Sequence, residues 1–277
     1  MLRVAHLTDL HIMPELDAAK WMETCVHHAQ SQKIDLILYG GDLIFDASIA
    51  DKDRVKAQWD LFNRVNRSEV GVPMKYCLGN HDVWGWGNRT KFASEASFGK
   101  RSALDALGMD RSYYSFDSGG WKFIVLDSIH SKEGNGYTAQ LGRDQAWWLI
   151  DTLRKTPKTQ PVLVLSHCPI LSVAPYLFGD HVHGNNWAVP GMWMHTDARF
   201  IKDVFRRHTN VNLCLSGHMH MVDRVDFDGV TYLCNGAVCG NWWKGKFQEF
   251  TPSYTLIDLF SDGTYEWRAI PYGWKPA

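Results

Sequence analysis

Ile34-Asp35-Leu36-Ile37-Leu38-Tyr39-Gly40-Gly41-Asp42 runs from an apolar segment straight into two glycines and a carboxylate. A short, nearly continuous apolar run bounded by glycine reads as a strand buried on both faces. The same sequence of events recurs four times. Residues 4–7 lead into Asp9-Leu10-His11, and residues 72–78 into Gly79-Asn80-His81-Asp82. Residues 162–165 lead into Ser166-His167, and residues 211–215 into Gly217-His218-Met219-His220. Taken singly, an aspartate after a strand is an ordinary helix cap, and a buried histidine is an ordinary core residue. Five such islands at successive strand ends are not independent accidents.

Working outward from these strands, the first half alternates strand and helix. Strands are expected at 2–7, 34–39 and 72–78, with helices at 16–30 and 49–66. That order predicts βαβ units, a buried sheet and helices outside it. One or two short helices are expected over 93–107. A hairpin follows, 112–116 with 121–126, turning on Asp117-Ser118-Gly119-Gly120. Next come a helix at 141–153, a strand at 161–165, a helix at 198–207 and a strand at 211–215. Two further hairpins turn on Asp228-Gly229 (220–227 with 230–234) and Asp262-Gly263 (253–260 with 264–270). The fold class is α/β: a four-layer α/β/β/α sandwich of two mixed sheets flanked by helices. Because ligand positions run from Asp9 to His220 and must converge, residues 1–277 are read as one domain. Residues 168–196 follow no period and are rich in Gly, Pro, His and Trp. A segment of that length without regular structure is usually functional, and it is expected to cap the substrate.

The chain has 277 residues, 45% of them apolar, and a formal charge of −1, with an isoelectric point near 6.9. That balance argues against strong nucleic-acid binding, which needs a clustered basic face. No segment approaches the roughly 18 consecutive apolar residues of a membrane helix. Residue 2 already opens a strand, so no signal peptide is expected here, although a leader removed earlier stays open. Six cysteines without a CxxC pair predict reduced thiols and a cytoplasmic location. Cys168, beside His167, is a weaker candidate for a soft metal.

Asp9, His11, Asp42, Asn80, His167, His218 and His220 are the candidate metal ligands. Asp9 with His11, and His218 with His220, are two apart, a spacing that on a strand puts both on one face. Carboxylate, amide oxygen and imidazole together suit divalent Mn, Fe, Zn or Co. Seven such groups exceed what one ion needs, so two ions sharing a carboxylate are expected. Two ions 3.5–4 Å apart lower the pKa of bound water from about 15.7 toward roughly 7 and clamp a phosphoryl oxygen for in-line attack. A hydroxide nucleophile supplied this way makes a protein nucleophile unnecessary.

In order and spacing, the five islands resemble the motif blocks of calcineurin-like metallophosphoesterases, across roughly residues 4–235. The compact length and Gly-His-Met-His block most resemble the bacterial class III cyclic nucleotide and glycerophosphodiester phosphodiesterases. The resemblance implies that Asp9, His11 and His220 bind one ion, that Asn80, His167 and His218 bind the other, and that Asp42 bridges them. It implies that His81 is not a ligand but contacts the phosphate and assists the leaving group, with Asp82 orienting His81 by a hydrogen bond. Among the remaining residues, His195 is the candidate phosphate contact, and Trp84 and Trp86 are candidates to stack on a base or apolar leaving group. Asn241-Trp242-Trp243 resembles a run found in some bacterial members of the family and carries no assigned role.

The expected function is a dinuclear metal-dependent phosphodiesterase acting on a small phosphodiester. A phosphomonoesterase or protein phosphatase of the same fold is the alternative, and a non-catalytic scaffold is the remote one. A homo-oligomer is left open.

Overall fold

A computed structural model of the protein describes residues 1–275. In chain order the first half contains β1 (Leu2–Leu7), α1 (Ala18–Ser31), β2 (Leu36–Tyr39), α2 (Lys52–Glu69), β3 (Met74–Tyr76), α3 (Arg89–Phe92), α4 (Arg101–Leu107), β4 (Tyr114–Ser118) and β5 (Trp121–Val125). The second half contains β6 (Ile129–Ser131), β7 (Tyr137–Ala139), α5 (Arg143–Lys155), β8 (Val162–Leu165), α6 (Ala174–Leu177), β9 (Val182–His183), β10 (Asn186–Trp187), α7 (Ala198–Phe205), β11 (Val211–Ser216), β12 (Asp223–Phe227), β13 (Val230–Cys234), β14 (Ser253–Leu259) and β15 (Tyr265–Pro271).

Two mixed sheets form the centre. The first has the order β15-β14-β1-β2-β3, and the second β12-β13-β11-β8-β5-β4. β1, β2 and β3 are mutually parallel, as are β5, β8, β11 and β13. Antiparallel hairpins form three of the four sheet edges, and the parallel strand β3 is the fourth.

Period-two alternation sorts the apolar strands between two faces. Val4, Leu36 and Leu38 meet Leu163, Leu165, Leu213 and Leu215 between the sheets. Their neighbours Ala5, Leu7, Ile37 and Tyr39 face α1 and α2, while Val162, Val164 and Cys214 face α5 and α7. The helices answer with apolar stripes, Met22, Cys25, Val26 and Ala29 on α1 being spaced for one face. Three apolar layers between four structural layers make the expected sandwich.

Most elements begin and end within a few residues of the sequence expectation. One difference matters for the site. The hairpin expected to start at residue 220 starts at Asp223, leaving His220 in the turn before it. β6 and β7, absent from the sequence reading, form a small hairpin. Their strands are three residues long and lack a clean alternation, so no local pattern announces them.

Candidate metal centre

Parallel strands deliver their carboxyl ends to the same edge of a sheet, where open α/β folds gather ligands. All five islands lie there, after β1, β2, β3, β8 and β11. Asp9/His11 and His218/His220 do not share a face by strand alternation, because none of these residues is in a strand. Asp9, His11, Asp42, His218 and His220 have φ of 54, 46, 51, 71 and 57°. Left-handed backbone is uncommon outside glycine, though Asp and His adopt it more readily than most. At each of these positions the left-handed residue ends the extended run and forms part of the turn that carries the side chain at the strand end.

The carboxylates are locked from several directions. Asp9 accepts hydrogen bonds from the Thr8 hydroxyl at 2.6 Å and from the His218 backbone N–H at 2.9 Å. Its Oδ1 is 3.4 Å from His220 Nε2. Gly217 permits this closeness, since a Cβ there would lie 2.3 Å from Asp9 Oδ2. Asp42 accepts the His81 backbone N–H through Oδ1 at 2.8 Å. Its Oδ2 faces His167 Nε2 at 3.3 Å and His11 Nε2 at 3.7 Å. Burial opposes the charge on Asp42, yet His167 and His81 hold its pKa well below the ordinary carboxylate value.

Each imidazole spends one nitrogen on a carbonyl, which sets its tautomer and aims the other inward. His167 Nδ1–H donates to Gly40 O at 2.8 Å, and His220 Nδ1–H to Gly240 O at 2.6 Å. His218 Nε2–H donates to Met192 O at 3.0 Å. His11 has the weakest such bond, Nδ1 to Phe45 O at 3.5 Å. The inward nitrogens are crowded: His11 Nε2 and His220 Nε2 stand 3.1 Å apart. His167 Nε2 lies 3.3 Å from Asn80 Oδ1. His218 Nδ1 is buried without any hydrogen-bond partner. Facing lone pairs and an orphaned buried nitrogen fit a cation between them.

Ligand atoms of His11, Asp42 and His81 lie within 4.8 Å of one another, as do those of Asp42, His167 and His218. Asp42 is common to both groups. A third group, His11, His220 and Cys239, meets the same distance. The Cys239 thiol, however, points at Gly240 O, the acceptor used by the outer nitrogen of His220, and burial pushes its pKa well up. Burial also opposes a proton on His167, but the Asp42 carboxylate outweighs it and raises the pKa to about 9. An ion bound there displaces that proton.

His81 lines the cavity beside Asn80. Its Nδ1–H donates to Phe45 O at 2.6 Å, leaving Nε2 toward the cavity. The expected Asp82–His81 hydrogen bond is not formed. Asp82 instead accepts backbone N–H groups of Leu43 at 2.8 Å and Gly79 at 2.8 Å. A buried carboxylate is better satisfied by several fixed amides, so Asp82 shapes the turn that carries His81 and leaves the ring to Phe45.

Three expected substrate contacts lie elsewhere. Trp84 is 2% exposed, packs on Phe92 and donates its indole N–H to Ala50 O. Trp86 stacks with the cations of Arg89 and Lys100, away from the cavity. His195 is 3% exposed. Its Nε2 meets the Ser166 hydroxyl at 3.1 Å, and its Nδ1–H donates to Asp197 at 2.9 Å. That chain has the connectivity of a nucleophilic triad, but Ser166 is buried, so it braces the root of the 168–196 segment. Cys168 is buried away from all three ligand groups.

The cavity over the cradle, about 200 Å³, is walled by Tyr137, Phe178, Met192, Trp193, Trp242 and Phe247. Trp242 belongs to the Asn241-Trp242-Trp243 run, and Phe178, Met192 and Trp193 belong to the unpatterned residues 168–196; nothing in the sequence assigns any of them to the cavity. Tyr137 arrives on β7, which had no signal.

Residues 2–222 match the family described as calcineurin-like phosphoesterase. The chain is 25% identical over 288 residues to a 3',5'-cyclic-nucleotide phosphodiesterase of Nostoc sp., an alignment covering 97% of this chain and 92% of that protein. It is 24% identical over 278 residues to the 3',5'-cyclic adenosine monophosphate phosphodiesterase CpdA of Escherichia coli K12, covering 95% and 86%. Among solved structures, a dimetal phosphatase from Danio rerio superposes with a TM-score of 0.66 at 15% identity, covering 98% of this chain and 99% of the other. That likeness speaks to the fold alone. The chain belongs to the calcineurin-like phosphoesterase family and is a metal-dependent phosphoric ester hydrolase.

Proposed function

We propose that the protein is a dinuclear phosphodiesterase acting on small diesters, with residues 168–196 as the cap of its substrate cavity. Asp9, His11 and His220 would hold one divalent ion, Asn80, His167 and His218 the other, and Asp42 both. The membership of Asp42 in two such groups, one with His11 and His81 and one with His167 and His218, supports its bridging place, and the 3.4 Å between Asp9 Oδ1 and His220 Nε2 supports pairing those two at the first ion. Bound there, two such ions supply Lewis acidity and lower the pKa of a coordinated water toward roughly 7.

The remaining work falls to the chain. Asn80 and His81 border the place where charge grows on the phosphoryl oxygens, and fixed donors aimed at developing charge act strongly in a water-poor site. His81 Nε2, its ring held by Phe45 O, is placed to give a proton to the departing oxygen. Asp82 keeps the 79–82 turn in shape through its backbone bonds.

One observation carries the preference for diesters. Among the described residues, no Lys or Arg lines the cavity, whose walls are aromatic and thioether groups. A dianionic monoester would be left without a counter-charge beyond the ions. A diester carries one negative charge and an additional organic group that an apolar wall can cover. Relatives named as cyclic-nucleotide phosphodiesterases agree with this choice.

A hydrolysis panel with Mn tests the reading, comparing bis-p-nitrophenyl phosphate, p-nitrophenyl phosphate, cyclic AMP and glycerophosphodiesters. The diesters are expected to show the higher kcat/KM. Faster cleavage of the monoester would overturn the proposal.

A further inference from the structure

We infer that the turn at residues 240–243 positions the first-ion half of the centre, with Trp243 setting the place of His11. This rests on the dinuclear reading above. The segment after β13 runs along the first island: Val238 N–H donates to Thr8 O at 3.0 Å and Cys239 N–H to Asp9 O at 3.2 Å. The chain then folds back at Gly240 (φ 58°), where a Cβ would come within 2.3 Å of Gly245 O. Its carbonyl receives the His220 Nδ1–H at 2.6 Å.

Trp242 and Trp243 follow, with φ of 47 and 63°. Two consecutive tryptophans in left-handed backbone are held there only by their surroundings. Trp243 is buried, and its ring meets Trp274 edge-on at 5.6 Å. Its indole N–H donates to His11 O at 3.1 Å. The Trp242 ring stays at the cavity, 4.8 Å from His220 and 5.8 Å from His11.

His11 makes this arrangement matter. His167, His218 and His220 are each steered by a ring hydrogen bond of 2.6–3.0 Å, whereas the His11 ring bond is 3.5 Å. The orientation of His11 therefore depends on its left-handed main chain, which is tied by its own N–H to Asp42 O at 2.9 Å on one side and by Trp243 at its carbonyl on the other. Trp243 is a positioning residue for the first ion, and it touches neither substrate nor ion.

The test is a two-site Mn titration by calorimetry on the full chain, with metal content measured by mass spectrometry, for wild type, Trp243→Phe and Trp274→Phe. Trp243→Phe deletes the N–H and keeps an aromatic ring. Loss of an outer hydrogen bond to a ligating group weakens metal binding about 10–100-fold; this bond acts on the ligand's main chain, so the lower end, about 10-fold, is expected, at one site only. Trp274→Phe removes the edge contact but keeps the donor, so both affinities are expected to match wild type. If Trp243→Phe leaves both affinities unchanged, or weakens both equally, or if Trp274→Phe weakens the same site as much, the inference is overturned. Should Trp243→Phe not fold, 3-benzothienylalanine at position 243, which keeps the shape of the indole without its N–H, is read by the same criteria. Wild type binding a single ion per chain would instead sink the dinuclear reading.

Discussion

The ligand cradle and residues 168–196 lie against each other and are held by opposite means. In the cradle, Asp9, Asp42, His218 and His220 occupy left-handed backbone and are fixed by several bonds each. Residues 168–196 are tied mainly near their ends. Asp223 gathers the Ser172 hydroxyl and the N–H groups of Val173 and Ala174 at one end. Ser166, His195 and Asp197 lock the other. Between them lie the end of α6, with Leu177 65% exposed, and a hairpin of two-residue strands, with Trp187 57% exposed. Over-determined positions suit groups that must meet ions within fractions of an ångström. A segment with few ladder bonds suits adaptation to a substrate's organic part. The two meet where Met192 O accepts the His218 Nε2–H.

The contrast can be broken first at its rigid side. Asp42→Asn removes the shared carboxylate, and turnover is expected to fall by more than about 10⁴-fold, beyond the usual range for one proton-transfer group, with metal content reduced. Retention of both ions by this variant would refute the bridging role. His81→Ala is expected to lower kcat by on the order of 10²–10⁴ with metal content unchanged. A fall in bound metal would make His81 a ligand instead.

Trp193→Ala probes the cap, where the ring packs on Phe178 and His181. Losing an aromatic contact of about 1–1.5 kcal/mol should raise KM for bis-p-nitrophenyl phosphate roughly 10-fold and leave kcat nearly unchanged. If kcat falls in step, the cap also acts on the chemistry, through Met192 and His218.

The smallest effect lies beneath the cradle. His6 is fully buried beside Asn235, and burial lowers its pKa to about 3. Because the folded value lies below the unfolded one, near 6.5, stability is intact above pH 6.5 and declines as pH falls toward 3. At pH 5 the loss is about 2 kcal/mol. Thermal melts from pH 7 to 5 should therefore show a shallower decline for His6→Asn than for wild type, and parallel curves would reject the assignment.

Legibility followed the range of the interactions. The sandwich could be read because each strand and helix carries its burial pattern locally, as residues 34–42 do. The convergence of the five islands could be read because they stand directly after those strands. The tautomers could not, since Phe45, Gly240 and Met192 are remote in sequence from the rings they steer. Trp84 and His195 misled for the same reason. Closeness along the chain to His81 and to the cap says nothing about which way a side chain faces once Ala50, Ser166 and Asp197 offer partners.

Patterning of residues along the chain was thus sufficient for the architecture, the family and the class of reaction, because buried strands and the motif-bearing turns after them are local and periodic. Tertiary packing decided the rest: the left-handed turns at Asp9 and His220, the carbonyls that orient the imidazoles, and the aromatic wall assembled from β7, residues 178–193 and residues 242–247. Those features depend on contacts between distant segments, which no local period encodes.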